Sequence, residues 1–552
     1  MTDPTPPPAT PARFPGWVIA GGLLLAAGYL PTLNAPFDFM DDGNLVYPTT
    51  GLTVGGHVQL WWRKVVANVE HLGPFRPAVW AHWQLAANLF ADDPVAWRAT
   101  RLGWCALAAV MLLWLMRELK LHPAAALMAA AAAMWNPYRN EIWTSLTLAE
   151  GVAMPYALFA LVAARKAATS PRAWRWDVGA VLALLMALGC KNTFVALVPP
   201  MLLLRTWTDG QPWRTAVRRN GLRAAAYLLP VLLPAAHFVY FKLHWHPGYY
   251  QTPGPSWEQA GQFLLWLKGA AGVDFLAAGV LLTLVTLARH RHQSRGTAVP
   301  RLSILTALLL LGCGFIVYLP VNIMSGRYTM PAVWGVDVLL AVLLTRLIAL
   351  SQTWPVRTAW AGVGVGLVAV VVAGANRQEK VQARSRALWD MLEHVERAVP
   401  PGASIAWVSG PTELGELNAE EGIHFYWHLL HRGRIDVRVG LVDLLGNPVE
   451  RVELPPLTAP PQYRLAARPT ADSPGWHTEH ETRVRYRFGL RDYSCVLESR
   501  RADSPPALDP VAERLMRQVL GGYDPVKKLL GGPPDTRPGV AEALGKTADR
   551  PK

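Results

Sequence analysis

The sequence predicts an all-α polytopic membrane bundle of about eleven transmembrane helices with a long first outer loop, followed by a small soluble α/β domain. Three observations predict it. Of the 552 residues 52% are hydrophobic and only 17% charged, against roughly 25% charged in soluble domains. Apolar stretches long enough to span a bilayer recur at about 17–36, 99–116, 123–136, 146–164, 178–190, 192–204, 222–241, 270–288, 301–320, 330–348 and 357–375. Past residue 375 charge density rises, Pro becomes frequent and the apolar runs shorten.

Taken in order, residues 1–16 form a Pro-rich, nearly uncharged tail (MTDPTPPPATPARFPG), expected on the cytoplasmic side. The run at 17–36 lacks a strongly basic start and a small-residue cleavage site, so it reads as a retained span. Just past its end lies an acidic cluster, Asp38, Asp41 and Asp42, in FDFMDDGNLVYP. Carboxylates at a membrane boundary are costly to keep and poorly explained by packing, although DDGN is also good turn chemistry. The outer loop that follows, about 37–98, is rich in Trp and His. Its segment PAVWAHWQLAANLF is amphipathic and expected along the membrane surface. His57, His71 and His82 lack tight metal-ligand spacing and read as interfacial residues. The stretch 178–204 reads as a tight hairpin of two spans. With eleven spans and an inner N-terminus, clusters such as Arg165–Lys166, Arg218–Arg219 and Arg289–Arg291 fall on the inner side, as the positive-inside rule expects. Asp38, Asp41, Asp42, Glu70, Asp92, Asp93, Glu141 and Glu258 fall outside.

The region 376–500 is expected to be an outer α/β domain. ASIAWVSG and IDVRVGLVD read as strands, ELNAEEGIHFYWHLLHRG between them as a helix, and YRLAA, RVRYRFGL and YSCVLES as further strands. Residues 501–552 form a Pro/Gly-rich tail with one short helix, VAERLMRQVLGG.

The net charge of +14 does not point to nucleic acid. Residues 1–375 hold 28 Lys/Arg against 15 Asp/Glu, and the remainder hold 25 against 24, so the excess lies in the apolar part. Cys105, Cys190, Cys313 and Cys495 are widely spaced and read as small apolar residues rather than a disulfide framework or metal site. The chain has no P-loop, GxGxxG unit, HExxH or paired CxxC, which argues against a nucleotide-driven pump.

Three groups of residues carry candidate chemistry. Asp41 and Asp42 are candidate catalytic groups: a carboxylate can act as general base for a hydroxyl or amine, or hold a divalent cation. WNPYRNEIWTSLTLAEG, between the third and fourth spans, offers a secondary site of Arg139, Glu141 and Glu150. Glu150 is the sharper case because it lies in an apolar helix, where the alternative is pairing within the bundle. Arg76 in GPFRP, Lys191 in GCKNT and Arg327 in MSGRYTMP are expected on the outer face, where such cations suit a phosphate. Snorkelling to headgroups is the alternative for each.

The order of these elements resembles the GT-C superfamily of membrane glycosyltransferases. It is most similar to protein O-mannosyltransferase-like members, including the transmembrane-and-TPR type, without the TPR repeats. The resemblance covers about 17–350. It rests on Asp41–Asp42 early in the outer loop, Phe75-Arg76-Pro77, NEIW through AEG, Cys190-Lys191-Asn192, and Arg327-Tyr328 with Pro331. Asn192 departs from the pattern, which has an acid there. The resemblance implies a glycosyltransferase domain over 17–375 and a polyprenyl-phosphate sugar donor. The acceptor would be a hydroxyl or amine on a protein, lipid or glycan, and transfer would be inverting. One Asp, with Asp41 ahead of Asp42, would be the base, and Arg76, Lys191 and Arg327 would stabilise the leaving phosphate. No metal or other cofactor is expected, a divalent cation being the alternative. Composition points to a bacterial inner membrane. The competing readings are a flippase for a lipid-linked sugar, with Asp274 and Asp337 as isolated charges at mid-membrane depth, and a non-catalytic scaffold.

Overall fold

The computed structural model describes residues 15–38, 42, 52–67, 75–207, 213–244, 256–290, 300–319, 326–350, 353–409, 419–442, 448–449, 454, 457, 460–468, 476–484 and 493–500. Asp41, His71, and the helix expected in the 501–552 tail lie outside the described residues. The chain divides into two compact units, Met1–Arg386 and Ala387–Lys552.

Unit 1 is helical. It begins with α1 (Gly16–Ala27), a 3-10 segment (Leu30–Asn34), α2 (Val54–Ala67) and α3 (Pro77–Phe90). Then come α4 (Pro94–Glu118), α5 (Pro123–Met134), a single turn (Glu141–Thr144), α6 (Ala149–Thr169) and α7 (Ala173–Cys190). A 3-10 segment (Asn192–Leu197) leads into α8 (Val198–Thr206), and α9 (Trp213–Ala225) passes through a second (Ala226–Val231) into α10 (Leu232–His244). The rest is α11 (Trp257–Ala270), α12 (Val273–Arg289), α13 (Arg301–Tyr318), a 3-10 turn (Gly326–Thr329), α14 (Ala332–Ile348) and α15 (Trp354–Ala398).

Among the described residues α4, α6, α7, α13 and α15 are each long and apolar enough to cross a membrane, and α11 with α12, bent by 76°, adds a sixth if the pair is one span. The expected count of about eleven spans is not reached by single helices of that length among the described residues. The 222–241 stretch is cut by the 3-10 segment around Pro230, and 192–204 is a 3-10 segment followed by only nine helical residues. Proline removes a backbone donor and clashes with the preceding turn, so an apolar run need not be one helix. The expected hairpin over 178–204 does form. α7 ends where Lys191 turns extended (φ −156°, ψ 117°), and the Arg205 Nε near the end of α8 meets Asp177 Oδ1 near the start of α7 at 2.7 Å. The chain has therefore doubled back.

The bend between α11 and α12 shows how polar residues hold this unit together. A broken helix leaves carbonyls without partners. Asn136 donates to the Gly269 and Ala270 carbonyls at 3.1 and 3.0 Å, and Arg139 Nε to the Ala270 carbonyl at 2.6 Å. The rest of the Arg139 guanidinium forks onto both oxygens of Asp337, each at 2.8 Å. Asp337 and Asp274 are thus not the isolated charges expected: Asp274 pairs with Lys268 at 2.6 Å. The partner of Asp337 was invisible because the Arg139–Asp337 pair bridges 198 positions of chain.

Unit 2 takes in the end of α15, in which the expected boundary at 376 falls. It adds β1 (Ser404–Val408), α16 (Ala419–His431), β2 (Arg438–Val442), β3 (Pro448–Val449), β4 (Tyr463–Arg468), β5 (Trp476–Val484) and β6 (Tyr493–Arg500). The sheet order is β3-β2-β1-β4-β6-β5. β1 pairs in parallel with β2 and β4, placing Ile405 beside Val439 and Tyr463, and the other pairings are antiparallel. Buried Ile405, Trp407, Val439 and Leu441 form the core with Ile423, Phe425 and Leu429 of α16. Of the strand expected over RVRYRFGL, Arg483 and Val484 fall at the end of β5 and 485–490 lie outside the described residues. This edge strand, WHTEHETRV, has no apolar alternation to mark it.

Candidate functional site

The site is built around the start of α6. Glu150 sits in its first turn, where a carboxylate suits the positive end of the helix dipole. It is 4% exposed. Lys191, at the break after α7, donates to Glu150 Oε1. Arg327, on the 3-10 turn before α14, brings its Nε to 3.9 Å from the same oxygen and 4.0 Å from Glu141 Oε1. Gly326 permits this placement, since a Cβ there would lie 2.5 Å from the Tyr138 carbonyl oxygen. The Tyr328 ring lies between the two cations, its centroid 4.4 Å from Lys191 Nζ and 5.2 Å from the Arg327 guanidinium carbon. Tyr318 stands edge-on to Tyr328 at 6.3 Å and shares a hydrogen bond with Thr193 at 2.9 Å. Lys191 is sealed in, whereas the Arg327 side chain keeps 24% of its surface exposed. Arg327 is therefore the cation of this pair open to an incoming anion.

Arg76 precedes α3, whose start sits against the end of α7. Asn192, with its amide nitrogen turned toward them, donates to the Phe75 carbonyl at 3.1 Å and the Leu188 carbonyl at 3.3 Å. An amide at 192 suits this position physically, because a carboxylate would face two carbonyl oxygens with nothing to donate. The three cations expected to bind phosphate thus come from three distant segments to the same end of the bundle. Glu141 and Glu150 join them. Arg139 does not, being held by Asp337 and the bend.

Asp42 is fully buried. Its Oδ2 accepts the Asp38 N–H at 2.8 Å and its Oδ1 the Leu146 N–H at 3.2 Å. Arg98 Nη2 approaches Oδ2 at 3.5 Å. The acidic segment is therefore tied to backbone only a few residues before Glu150. Arg98 and Arg101 on α4, capped by Asp93 through Val95 N at 2.9 Å, are site residues that motif reasoning missed. The signal was there: two arginines three apart, on one face of a helix whose other charges, Arg117 and Glu118, lie at its far end.

The segment PAVWAHWQLAANLF of the outer loop is helical, as α3. His57 is not interfacial but buried, its Nδ1 3.2 Å from Gln84 Oε1 between α2 and α3. His82 packs edge-on against Trp104 at 5.3 Å, and burial, helped by the Arg101 charge, pushes its imidazole down to about 4. It is neutral at ordinary pH. All four cysteines are free. Among the described residues no three His, Cys, Asp or Glu are grouped to hold a metal ion.

No protein-family model and no curated protein sequence matches the chain. Among solved structures it is similar to ArnT from Cupriavidus metallidurans bound to undecaprenyl phosphate, at 14% identity and TM-score 0.45, over 89% of this chain and 99% of that one. The apo state of the same protein gives 14%, 0.43, 89% and 99%. The oligosaccharyltransferase AglB from Archaeoglobus fulgidus, in complex with an inhibitory peptide and a dolichol-phosphate, is 12% identical with a TM-score of 0.39, over 71% of this chain and 62% of that one. All three are distant likenesses, at 12–14% identity.

Proposed function

We propose that the protein is a GT-C-type glycosyltransferase that moves a sugar from a polyprenyl-phosphate donor to a hydroxyl or amine acceptor on a protein, lipid or glycan, with inversion. The observation that carries the reading is the meeting of an acidic segment and a cation cluster on the two sides of one short stretch, residues 141–151. In the reaction a carboxylate of the Asp41–Asp42 pair takes the acceptor's proton while the acceptor atom attacks the anomeric carbon. The bond from that carbon to the phosphate oxygen breaks, and the lipid phosphate leaves with the electron pair. It leaves as a stable anion, so the protein's task is to stabilise charge rather than to supply a proton. Arg327, Lys191 and Arg76 suit that task. Glu150 balances Lys191 and Arg327, so that buried cations need not stand uncompensated.

In this reading the bundle lies in a bacterial inner membrane with the N-terminus cytoplasmic. The site and unit 2 face the outer side, where lipid-linked donors present their sugars. The test is transfer by purified protein in nanodiscs supplied with a panel of polyprenyl-phosphate sugars and acceptor mixtures, following release of polyprenyl phosphate. Release that disappears in Asp41→Asn or Asp42→Asn with folding intact supports the reading. Translocation of a lipid-linked sugar without release of polyprenyl phosphate would replace it with the flippase.

A further inference from the structure

We propose that Asp42 is the positioning residue of the acidic pair, clamped with Arg98 and Arg101 onto the 144–148 backbone. The inference rests on the transferase reading and takes Asp42 out of the base role within it.

A general base must offer a lone pair to the acceptor's proton. Asp42 is fully buried, and both its oxygens are engaged by the fold: Oδ1 by the Leu146 amide, Oδ2 by the Asp38 amide and the Arg98 guanidinium. Burial keeps an acceptor away from its remaining lone pairs, and taking up a proton would weaken the Arg98 ion pair and both amide hydrogen bonds.

The clamp has a physical origin. Residues 145–148 run between the turn Glu141–Thr144 and α6, so their backbone groups have no helical partners and, being buried, need others. Arg98 donates to the Thr144 carbonyl and, through Nη2, to the Pro36 carbonyl at 2.7 Å. Arg101 donates to the Leu146 carbonyl and to the Leu148 carbonyl at 3.2 Å. Asp42 takes the Leu146 amide and offsets the two buried guanidiniums. One set of side chains thus fixes both the exit of the chain from the first helix and the entry into α6 that carries Glu150. The separation between the acidic pair and the cation cluster is set here.

The experiment uses the full chain in nanodiscs, reading hydrogen exchange in peptides covering 36–42 and 142–149 beside sugar transfer and its pH profile. Asp42→Asn preserves size but loses the charge. It is expected to speed exchange at Leu146 about tenfold and to lower transfer while leaving the acidic limb of the pH profile in place. Arg98→Lys, which loses the planar fork, should do the same. Asp41→Asn should abolish transfer and leave Leu146 protected. The inference is overturned if Asp42→Asn abolishes transfer with Leu146 still protected, which would make Asp42 the base. It is equally overturned if neither Asp42→Asn nor Arg98→Lys changes exchange. Absence of turnover by the wild type would sink the transferase reading alone, since the exchange measurements still test the clamp.

Discussion

At the scale of single residues, the site sets Lys191 and Arg327 against Glu150, and Arg98 against Asp42. Lys191 illustrates why its neighbours matter: it lies between Glu150 and the faces of Tyr318 and Tyr328, at 5.7 and 4.4 Å from their centroids. Lys191→Met should lower sugar release, but by less than the roughly hundredfold of a donor in direct contact, because Lys191 acts from behind Glu150. Glu150 keeps Arg327 as a partner, so the variant should still fold. Steady-state kinetics on the donor check this: a change confined to KM would mean that Lys191 binds ground and transition states alike. Gly151 offers a second test. A Cβ there would overlap the Arg101 guanidinium, so Gly151→Ala should displace Arg101 and lower transfer, with faster hydrogen exchange over 142–149. Unaltered exchange would show that the guanidinium has room to move. The individual candidates Lys191, Arg327 and Glu150 were legible because a charge in apolar surroundings stands out. Their mutual contact was not, since nothing in local sequence says which distant cation a buried carboxylate meets.

At the scale of elements, breaks matter as much as helices. The bend between α11 and α12 persists because Asn136 and Arg139 satisfy the carbonyls it frees, and Asp337 balances the guanidinium that does so. Removing one partner of a buried pair leaves an uncompensated charge, at roughly 3–5 kcal/mol, whereas removing both is often nearly neutral. Asp337→Leu should therefore lower the thermal unfolding temperature of the purified protein well below that of the double variant Arg139→Met, Asp337→Leu. The double variant should still fall short of wild type by about 1 kcal/mol, for the lost bond to the Ala270 carbonyl. Equal losses in the single and double variants would show that the charge balance is not what holds the bend. In unit 2, Arg434 does similar work, donating to the Glu396 and Val399 carbonyls at 2.6 and 2.8 Å where α15 ends. Helices, strands and turns came out of periodicity and punctuation. Prolines and polar insertions then decided where an apolar run was cut, and β5, polar on both faces, left no periodic trace.

At the scale of the whole molecule, the two units answer to different physics. Unit 1 is a helical bundle with many lipid-like exposed side chains, among them Leu24, Leu222 and Val365. Unit 2 is a mixed sheet covered by α16, with titratable groups inside it. Burial pushes His424 down to about 4, and burial with the Arg432 charge holds His428 well below its ordinary value. Both are neutral in the fold, but the unfolded chain protonates below its ordinary value of 6.5. The unfolded state then binds more protons, so this contribution is intact above about 6.5 and shrinks as pH falls toward 4. Each pH unit in that window costs about 1.4 kcal/mol per histidine. Protection of the β1 and β2 amides in the full chain, with exchange corrected for its intrinsic pH dependence, should fall across it, and His424→Leu should flatten the response. Protection that stays constant with pH in the wild type would remove the histidines from the account.

The sequence by itself determined the class of the molecule, the division into an apolar helical part and a charged α/β part, the hairpin at 178–204, and most of the residues worth testing. These follow from composition, period and charge placement, which are local. Tertiary structure alone decided which apolar runs remain single helices, that Arg139 serves the bend rather than the site, and that Asp42 faces inward onto Arg98 and the Leu146 amide. Each of these depends on a partner far along the chain, and the energy that selects the partner exists only once the helices are packed.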